Sequence, residues 1–274
     1  MNSRIDWLQI LLQCKKNVNM QIRSFLKTEN QLQPDLGRGA GGDQMKPVDL
    51  ASEKAIVDVL LQHIVSFTLI SEESGVKEFG DDPTKFYVTV DPIDGTTNFV
   101  HGIPFYASSI ALSTRPSLSA VFAGLVSDLF HDKTYFALEG KGAHCDGERI
   151  RPSSSKSLDK AVVGLDLNSF KVEEFSFELT HLIQKIKHIR HFGANALELC
   201  YVADGTTDAF IDIREKLRTT DIAAAFLIVK EAGGTITTPS GSPLEAKLDP
   251  KQTISFIASG NTQVHQNILS LVKA

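Results

Sequence analysis

The chain has 274 residues, 42% of them hydrophobic, and a formal net charge of -5. This length predicts one large globular domain or two modest ones, and the lack of a broad positive charge argues against nucleic acid or an anionic membrane as a partner. Cys14, Cys145 and Cys200 are widely spaced and form no Cys-x-x-Cys pair, which favours a reducing compartment. Polar residues interrupt the first apolar stretch, so we expect a cytoplasmic protein with no membrane span there.

Two amphipathic helices are predicted in the first quarter of the chain. Apolar residues recur at three- and four-residue steps from Arg4 to Leu26, and again from Ala51 to Ile64. Asp49 stands where an N-cap or first-turn acid of the second helix belongs. Residues 31–47 between the helices hold four glycines and two prolines, a composition typical of a loop. Short β-rich runs between residues 67 and 140 then predict a mostly antiparallel sheet.

After about residue 150 strands and helices alternate, which is the pattern of an α/β arrangement. Strands are predicted at AVVGLDL and TDAFIDI, and helices near residues 172–187, at NALELCYVADG and at DIAAAFLIVKEAGG. The Pro-Ser-Ser-Ser stretch, residues 152–155, is the best candidate junction between the two patterns. The sequence therefore predicts an N-terminal α+β domain, residues 1–152, and a C-terminal α/β domain, residues 153–274.

The stretch VTVDPIDGTTNF, residues 88–99, places two aspartates three positions apart after an apolar run. The run predicts a buried strand that delivers Asp91 to a crevice, with pairing ended by Pro92. Because Gly95 permits unusual backbone angles, Asp91 and Asp94 can converge on one point. Glu72 follows another apolar run, so we expect it at the end of a neighbouring strand.

Carboxylates crowded in this way need protons or cations, since two charges about 4 Å apart repel by roughly 4 kcal/mol in a protein-like dielectric. Oxygen ligands favour Mg²⁺ or Mn²⁺ over zinc, and the amides of a helix that begins at GTTN suit a phosphate. The pattern thus indicates hydrolysis of a phosphate ester by metal-activated water. A plain Asp-Gly turn with solvated glutamates and a glycosidase carboxylate pair are the alternatives.

Several segments carry a resemblance to a known family. DPIDGTTNF, with EES before it and GKGAHCDGERI, CYVADGTTDAFIDI and DIAAAFLIVKEAGG after it, resembles the inositol monophosphatase family of Mg²⁺-dependent, typically lithium-sensitive phosphatases. The resemblance is strongest to archaeal members that act on inositol 1-phosphate and fructose 1,6-bisphosphate. It implies a layered αβαβα sandwich, a homodimer and a phosphomonoesterase. A 3'-phosphoadenosine 5'-phosphate nucleotidase is the rival enzyme, and a metal-bound scaffold or regulatory protein is the alternative without catalysis.

The resemblance also implies residue roles. Glu72, Asp91 and the carbonyl of Ile93 would hold a first metal, and Asp91, Asp94 and Asp221 a second, with a third, weaker Mg²⁺ reached through Glu72. Asp221 is otherwise a plain helix N-cap. Asp49 and Thr96 would orient the attacking water, and the amides of Gly95 and Thr96 would hold phosphate. Catalysis would thus depend on Asp49, Thr96 and Glu72.

The region between the second strand of the α/β half and its last helix differs from the family pattern. Asp212 stands where animal members use a glutamate for inositol, and the segment from there to Asp221 is two residues longer. Four basic residues around it are candidate contacts for the second phosphate of a bisphosphate, or else solvated surface residues: Arg190, Arg214, Lys216 and Arg218. The histidines, including His191, show no metal-binding spacing, so we interpret them as surface or packing residues.

Overall fold

The structure is a computed structural model that describes residues 5–27, 36–64, 66–154, 157–168 and 177–272. Helices α1 (Trp7–Lys27) and α2 (Pro47–His63) confirm the two predicted amphipathic helices. They pack on one face of the first sheet through buried apolar side chains such as Leu11 and Val59. Asp49 lies in the first turn of α2, and its Oδ2 accepts a hydrogen bond from the Lys46 amide at 2.8 Å. The loop predicted at 31–47 falls partly on residues 31–35, which lie outside the described residues.

The first sheet has eight strands in the order β2-β1-β3-β4-β5-β6-β7-β8. Pairing is antiparallel throughout except between β1 and β3, which confirms the mostly antiparallel prediction. The strands are β1 (Phe67–Ser71), β2 (Gly75–Phe79), β3 (Tyr87–Asp94), β4 (Ala107–Ser113), β5 (Val121–Asp128), β6 (Thr134–Leu138), β7 (Ala143–Cys145) and β8 (Glu148–Arg149).

Strand β3 runs further than the sequence predicted. Its pairing with β1 ends at Val90, but its pairing with β4 resumes at Asp94 after an irregularity in the register. The expectation that Pro92 ends the ladder was therefore wrong on the β4 side. The proline lies within the bulge, where a missing amide donor costs no regular ladder bond. Helix α3 (Thr96–His101) then begins directly after Gly95, as predicted.

The second sheet has five strands in the order β10-β9-β11-β13-β12. Its strands are β9 (Val162–Leu165), β10 (His188–Arg190), β11 (Ala209–Arg218), β12 (Thr235–Thr237) and β13 (Thr253–Ser259). The helices of this half are α4 (Phe177–Lys185), α5 (Asn195–Asp204), α6 (Thr219–Ala232) and α7 (Thr262–Val272). The predicted alternation is confirmed, although residues 172–176 of the helix expected near 172–187 lie outside the described residues.

The elements stack in five layers. Helices α1 and α2 cover the outer face of the first sheet, and α4 and α7 cover the outer face of the second. Between the sheets lies the pair α5 and α6, which shares one buried cluster with side chains from both sheets, including Tyr135 and Phe256. This is the layered αβαβα sandwich that the sequence predicted. The division at residue 152 stays a prediction. Within the described residues, the helices are all too short or too polar to cross a bilayer.

Candidate active site

A cleft of about 760 Å³ opens between the first sheet, the start of α6 and the segment before α5. Glu72, Asp91 and Asp221 lie on one wall, and each offers a carboxylate oxygen within 4.8 Å of those of the other two. All three residues are buried. The structure thus brings together side chains that are up to 149 positions apart in the chain, counted from Glu72 to Asp221.

The topology of the elements explains this convergence. Strands β1 and β3 are parallel and in register to Ser71 and Val90, so the next residues, Glu72 and Asp91, emerge side by side. Asp221 arrives in the first turn of α6, where its Oδ2 accepts a hydrogen bond from the Arg218 amide at 3.1 Å. The N-terminal capping role and the place in the acidic cluster are therefore compatible in one side chain.

The electrostatics of the cluster favour a bound cation. Burial, followed by repulsion from Glu72 and Asp94, raises the pKa of Asp91 well above its usual value. Burial also raises the pKa of Glu72 to about 8, although Arg218 opposes this shift. No described residue offers a hydrogen bond to Oδ1 of Asp91, which is buried. Because divalent cations such as Mg²⁺ bind carboxylate oxygens, this donor set fits a metal centre.

Asp94 lines the same cleft and also fixes the start of α5. Its two carboxylate oxygens accept hydrogen bonds from the amides of Asn195 at 2.9 Å and Ala196 at 2.7 Å. Burial, with repulsion from Asp221, raises the pKa of Asp94 to about 7, and the amides lower it. Each oxygen keeps a second lone pair, so the helix cap leaves Asp94 able to bind a metal as well.

Thr96 lies between the predicted water-orienting acid and a predicted metal ligand. Its hydroxyl is 2.9 Å from the carbonyl oxygen of Ile93 and 3.4 Å from Oδ1 of Asp49. Burial raises the pKa of Asp49 to about 6, so this carboxyl is ionised at neutral pH. Gly95, with φ of 89°, turns the chain so that α3 begins at the cleft wall.

The five predicted substrate-side residues are placed differently. Arg218 lines the cleft, whereas the other four are not among its lining residues. Arg214 pairs with Asp212 and Asp166, each at 2.5 Å, and Asp212 is fully buried. Substrate contact by Arg190, Asp212, Arg214 and Lys216 stays a prediction.

Four residues of the site were missed or undervalued in the sequence. Asn98 donates hydrogen bonds of 2.7 Å to the carbonyl oxygens of Phe105 and Phe192, and so ties α3 to the segment before α5. Glu198 accepts hydrogen bonds from the backbone amides of that segment, and Asn168 and His191 line the cleft. Asn98 lay within the quoted motif and Glu198 within the predicted helix NALELCYVADG, but Asn168 and His191 stand in segments whose spacing carries no signal.

Comparisons with known proteins identify relatives along almost the whole chain. A protein from Methanothermobacter thermautotrophicus named fructose-1,6-bisphosphatase/inositol-1-monophosphatase is 35% identical over 276 residues, which cover 97% of this chain and 96% of that protein. A bifunctional NADP phosphatase/NAD kinase from Methanococcus maripaludis is 31% identical over 97% of this chain, but the match covers 49% of that protein. A crystal structure described as an inositol monophosphatase-fructose 1,6 bisphosphatase superposes with a TM-score of 0.83 at 30% identity, over 97% of this chain and 99% of that one.

Fold, site and relatives together define a phosphoric monoester hydrolase. A model of one phosphatase family matches residues 7–274. The chain belongs to the inositol monophosphatase family.

Proposed function

We propose that this chain is a Mg²⁺-dependent phosphomonoesterase that hydrolyses inositol 1-phosphate, fructose 1,6-bisphosphate or both. The observation that carries the proposal is the buried group of Glu72, Asp91 and Asp221 on the wall of a cleft large enough for a sugar phosphate. Asp94 and Ile93 line the same cleft, and the Asp94 carboxylate and the Ile93 carbonyl would complete the ligand set. When bound there, Mg²⁺ or Mn²⁺ would polarise the phosphoryl oxygens and lower the pKa of water.

The chain's own groups have separate tasks in this proposal. Asp49, ionised at neutral pH and 3.4 Å from the Thr96 hydroxyl, can accept a hydrogen bond from that hydroxyl and so orient it toward water. The backbone at Gly95 and Thr96 offers amides to a phosphate at the start of α3. Both tasks depend on the turn at Gly95, which fixes Thr96 relative to Ile93.

The substrate's alcohol would lie toward Asn168 and His191. The side-chain amide nitrogen of Asn168 lies 2.7 Å from Nε2 of His191. Nη1 of Arg214 donates a hydrogen bond of 3.0 Å to the backbone carbonyl of Asn168. An amide and an imidazole supply hydrogen-bond donors and acceptors suited to sugar hydroxyls. Arg218 is the cationic side chain in this cleft nearest the acids, and a second phosphate needs such a group.

A nucleotide phosphate is the second candidate substrate. The relative from Methanococcus maripaludis named as an NADP phosphatase supports this candidate. NADP, like 3'-phosphoadenosine 5'-phosphate, is a nucleotide that carries a phosphate monoester. A flat base needs an apolar or aromatic face, and Phe192 with Ile103 lines part of the cleft. We therefore rank it below the sugar phosphates but include it in the test.

Phosphate release by purified protein tests the proposal. With Mg²⁺ present, inositol 1-phosphate and fructose 1,6-bisphosphate should be turned over faster than NADP or 3'-phosphoadenosine 5'-phosphate, and chelation of the metal should abolish release. Asp91→Asn removes a ligand charge while keeping its shape, so we expect a loss of about a hundredfold or more in kcat/KM, consistent with loss of metal-ion catalysis. Equal turnover by wild type and Asp91→Asn would refute the assignment of the site.

Two further features follow from the family resemblance. We propose that the protein is a homodimer and that lithium inhibits it. Sedimentation velocity should give twice the mass of one chain, and millimolar lithium should reduce turnover in the presence of Mg²⁺. A fully active monomer would refute the proposed homodimer, and turnover unchanged by lithium would refute the proposed inhibition. Neither result would contradict the proposed metal site.

A further inference from the structure

Arg218 makes ionic contacts with two members of the acidic cluster. Its Nη2 lies 2.6 Å from Oε2 of Glu72, and its Nε lies 3.2 and 3.3 Å from the two oxygens of Asp221. The side chain is 13% exposed. Burial lowers its pKa, but Asp221, Glu72 and Asp43 outweigh burial and raise it, so the guanidinium is a permanent cation among the carboxylates.

The same guanidinium also reaches the glycine-rich loop. Its Nη1 lies 2.8 Å from Oδ2 of Asp43, and a Cβ atom on Gly41 would clash with Nη1. The backbone of this loop is hydrogen-bonded to the turn that follows β1. The amides of Ala40 and Gly41 donate to the carbonyl oxygens of Glu73 and Glu72 at 3.0 and 2.7 Å. One side chain thus joins the acidic wall to the loop that borders the cleft.

We propose that Arg218 is an internal counter-ion of the metal site, which divalent cations displace from Glu72 and Asp221 when they bind, with release of Asp43. This inference rests on the proposed metal dependence. It adds that metal binding must overcome the loss of the Arg218 contacts. Both oxygens of Asp221 contact the guanidinium, so a metal held by either oxygen would lie close to this cation. Mg²⁺ binds its ligands at about 2.0–2.1 Å, and at such short range its charge repels the guanidinium, which favours the departure of Arg218.

Displacement of Arg218 and simple repulsion by an Arg218 that stays in place predict opposite effects of Asp43→Asn on metal affinity. If Arg218 merely repels cations from a fixed position, Asp43→Asn removes a nearby negative charge and weakens metal binding. If Arg218 must leave, the Asp43 contact is lost on metal binding, and Asp43→Asn strengthens binding because that loss no longer opposes it. Arg218→Lys separates the two ideas again, since it keeps the charge but cannot contact three carboxylates at once.

The test is a Mn²⁺ titration of the full chain, followed by the electron paramagnetic resonance signal of free Mn²⁺. Because Asp43 is largely exposed, we expect Asp43→Asn to bind Mn²⁺ about two- to fivefold more tightly than wild type. Arg218→Lys should bind about tenfold more tightly, since it loses charge-assisted hydrogen bonds to the cluster. Asp81→Asn is the control for net charge, because it makes the same charge change as Asp43→Asn at an exposed residue that follows the end of β2 remote from Glu72; its affinity should equal that of wild type.

The outcomes separate this inference from the proposed function. If wild type binds Mn²⁺ and releases phosphate, but either Asp43→Asn or Arg218→Lys binds no more tightly than wild type, Arg218 is not displaced and the inference alone is wrong. If wild type binds no Mn²⁺, both the metal dependence and the counter-ion role are wrong. Circular dichroism of each variant checks folding, and Asp43→Asn, at an exposed position, keeps the test valid should Arg218→Lys misfold.

Discussion

Glu198 is a buried carboxyl that holds part of the cleft wall in place. It lies in the first turn of α5 and is 2% exposed, and its Oε1 accepts the amides of Phe192 and Gly193 at 3.1 and 3.0 Å. No described residue bonds its Oε2. Burial raises the pKa of Glu198 to about 8, and Asp166 and Asp94 add to the shift. The side chain is therefore protonated at neutral pH and acts as a hydrogen-bond acceptor for the cleft wall.

This shift predicts a pH-dependent stability that Glu198→Gln removes. The pKa of Glu198 is about 8 when folded and 4.5 as a free side chain, so the native state binds the proton more tightly and stability falls as pH rises from about 4.5 to 8, by about 1.4 kcal/mol per pKa unit. Glutamine keeps the acceptor and cannot ionise. In urea unfolding at pH 5, 7 and 9, the free energy of unfolding of Glu198→Gln should therefore increase relative to that of wild type as pH rises.

Two outcomes bear on that prediction. A difference between the two proteins that stays constant across the three pH values would contradict it. Glu198→Ala is the matched comparison, because it removes the acceptor of the part-buried hydrogen bonds from the Phe192 and Gly193 amides, each of which contributes about 0.5–1.5 kcal/mol. It should be less stable than Glu198→Gln at every pH.

At the scale of elements, the sequence predicted what depends on local pattern and missed what depends on distant partners. Strand β3, helix α6 and the metal-ligand candidates Glu72 and Asp91 could be predicted because apolar runs and acidic residues stand together in the chain. The cap that Asp94 supplies to Asn195 could not, since the two residues are 101 positions apart. Arg218 was predicted to face substrate, and its three carboxylate partners come from three separate elements.

The junction of α3 with the segment before α5 yields a prediction about Gly95. Its φ is 89°, and an added Cβ would lie 3.1 Å from both Cβ of Ala194 and the carbonyl oxygen of Gly193. Gly95→Ala should therefore destabilise the protein by about 1–3 kcal/mol and lower kcat/KM, because Thr96 must shift with α3. Thermal unfolding and phosphate release measure the two effects.

Gly102 supplies the control for Gly95. It ends the same helix with φ of 69°, but an added Cβ there would meet no atom of the described residues within 4 Å. Gly102→Ala thus introduces similar backbone strain without the clash, and it should cost less stability and leave kcat/KM near the wild-type value. Equal losses in both variants would show that backbone strain alone, and not packing against the segment before α5, limits position 95.

At the scale of the whole molecule, the central helix layer binds the two sheets into one core. Tyr135 from the first sheet and Phe256 from the second belong to the same buried cluster as Ile222 and Leu199 of α6 and α5. Burial on this scale is the main stabilising contribution to a fold. Neither sheet can keep its inner face covered if α5 and α6 leave, so the two halves depend on each other despite their different topologies.

A shared core predicts a single unfolding transition. Trp7 is the chain's one tryptophan, and its ring packs against Phe86 and Phe122 at 4.9 and 5.3 Å between centroids, so its fluorescence reports on α1 and the first sheet. Circular dichroism at 222 nm reports on all helices. The two probes should give coincident urea transitions in wild type, as a cooperative unit requires, whereas separate domains would give a displaced fluorescence curve.

Gly124→Ala sharpens this test, because it perturbs one interface of the central layer. Gly124 lies in β5, and an added Cβ would be 2.9 Å from the backbone oxygen of Ala224 in α6, a contact that forces sheet and helix apart. We expect a loss of about 1–3 kcal/mol, with both probes shifted to lower urea by the same amount. If only the fluorescence transition moves, the second sheet keeps α5 and α6 without the first, and the halves are separable domains.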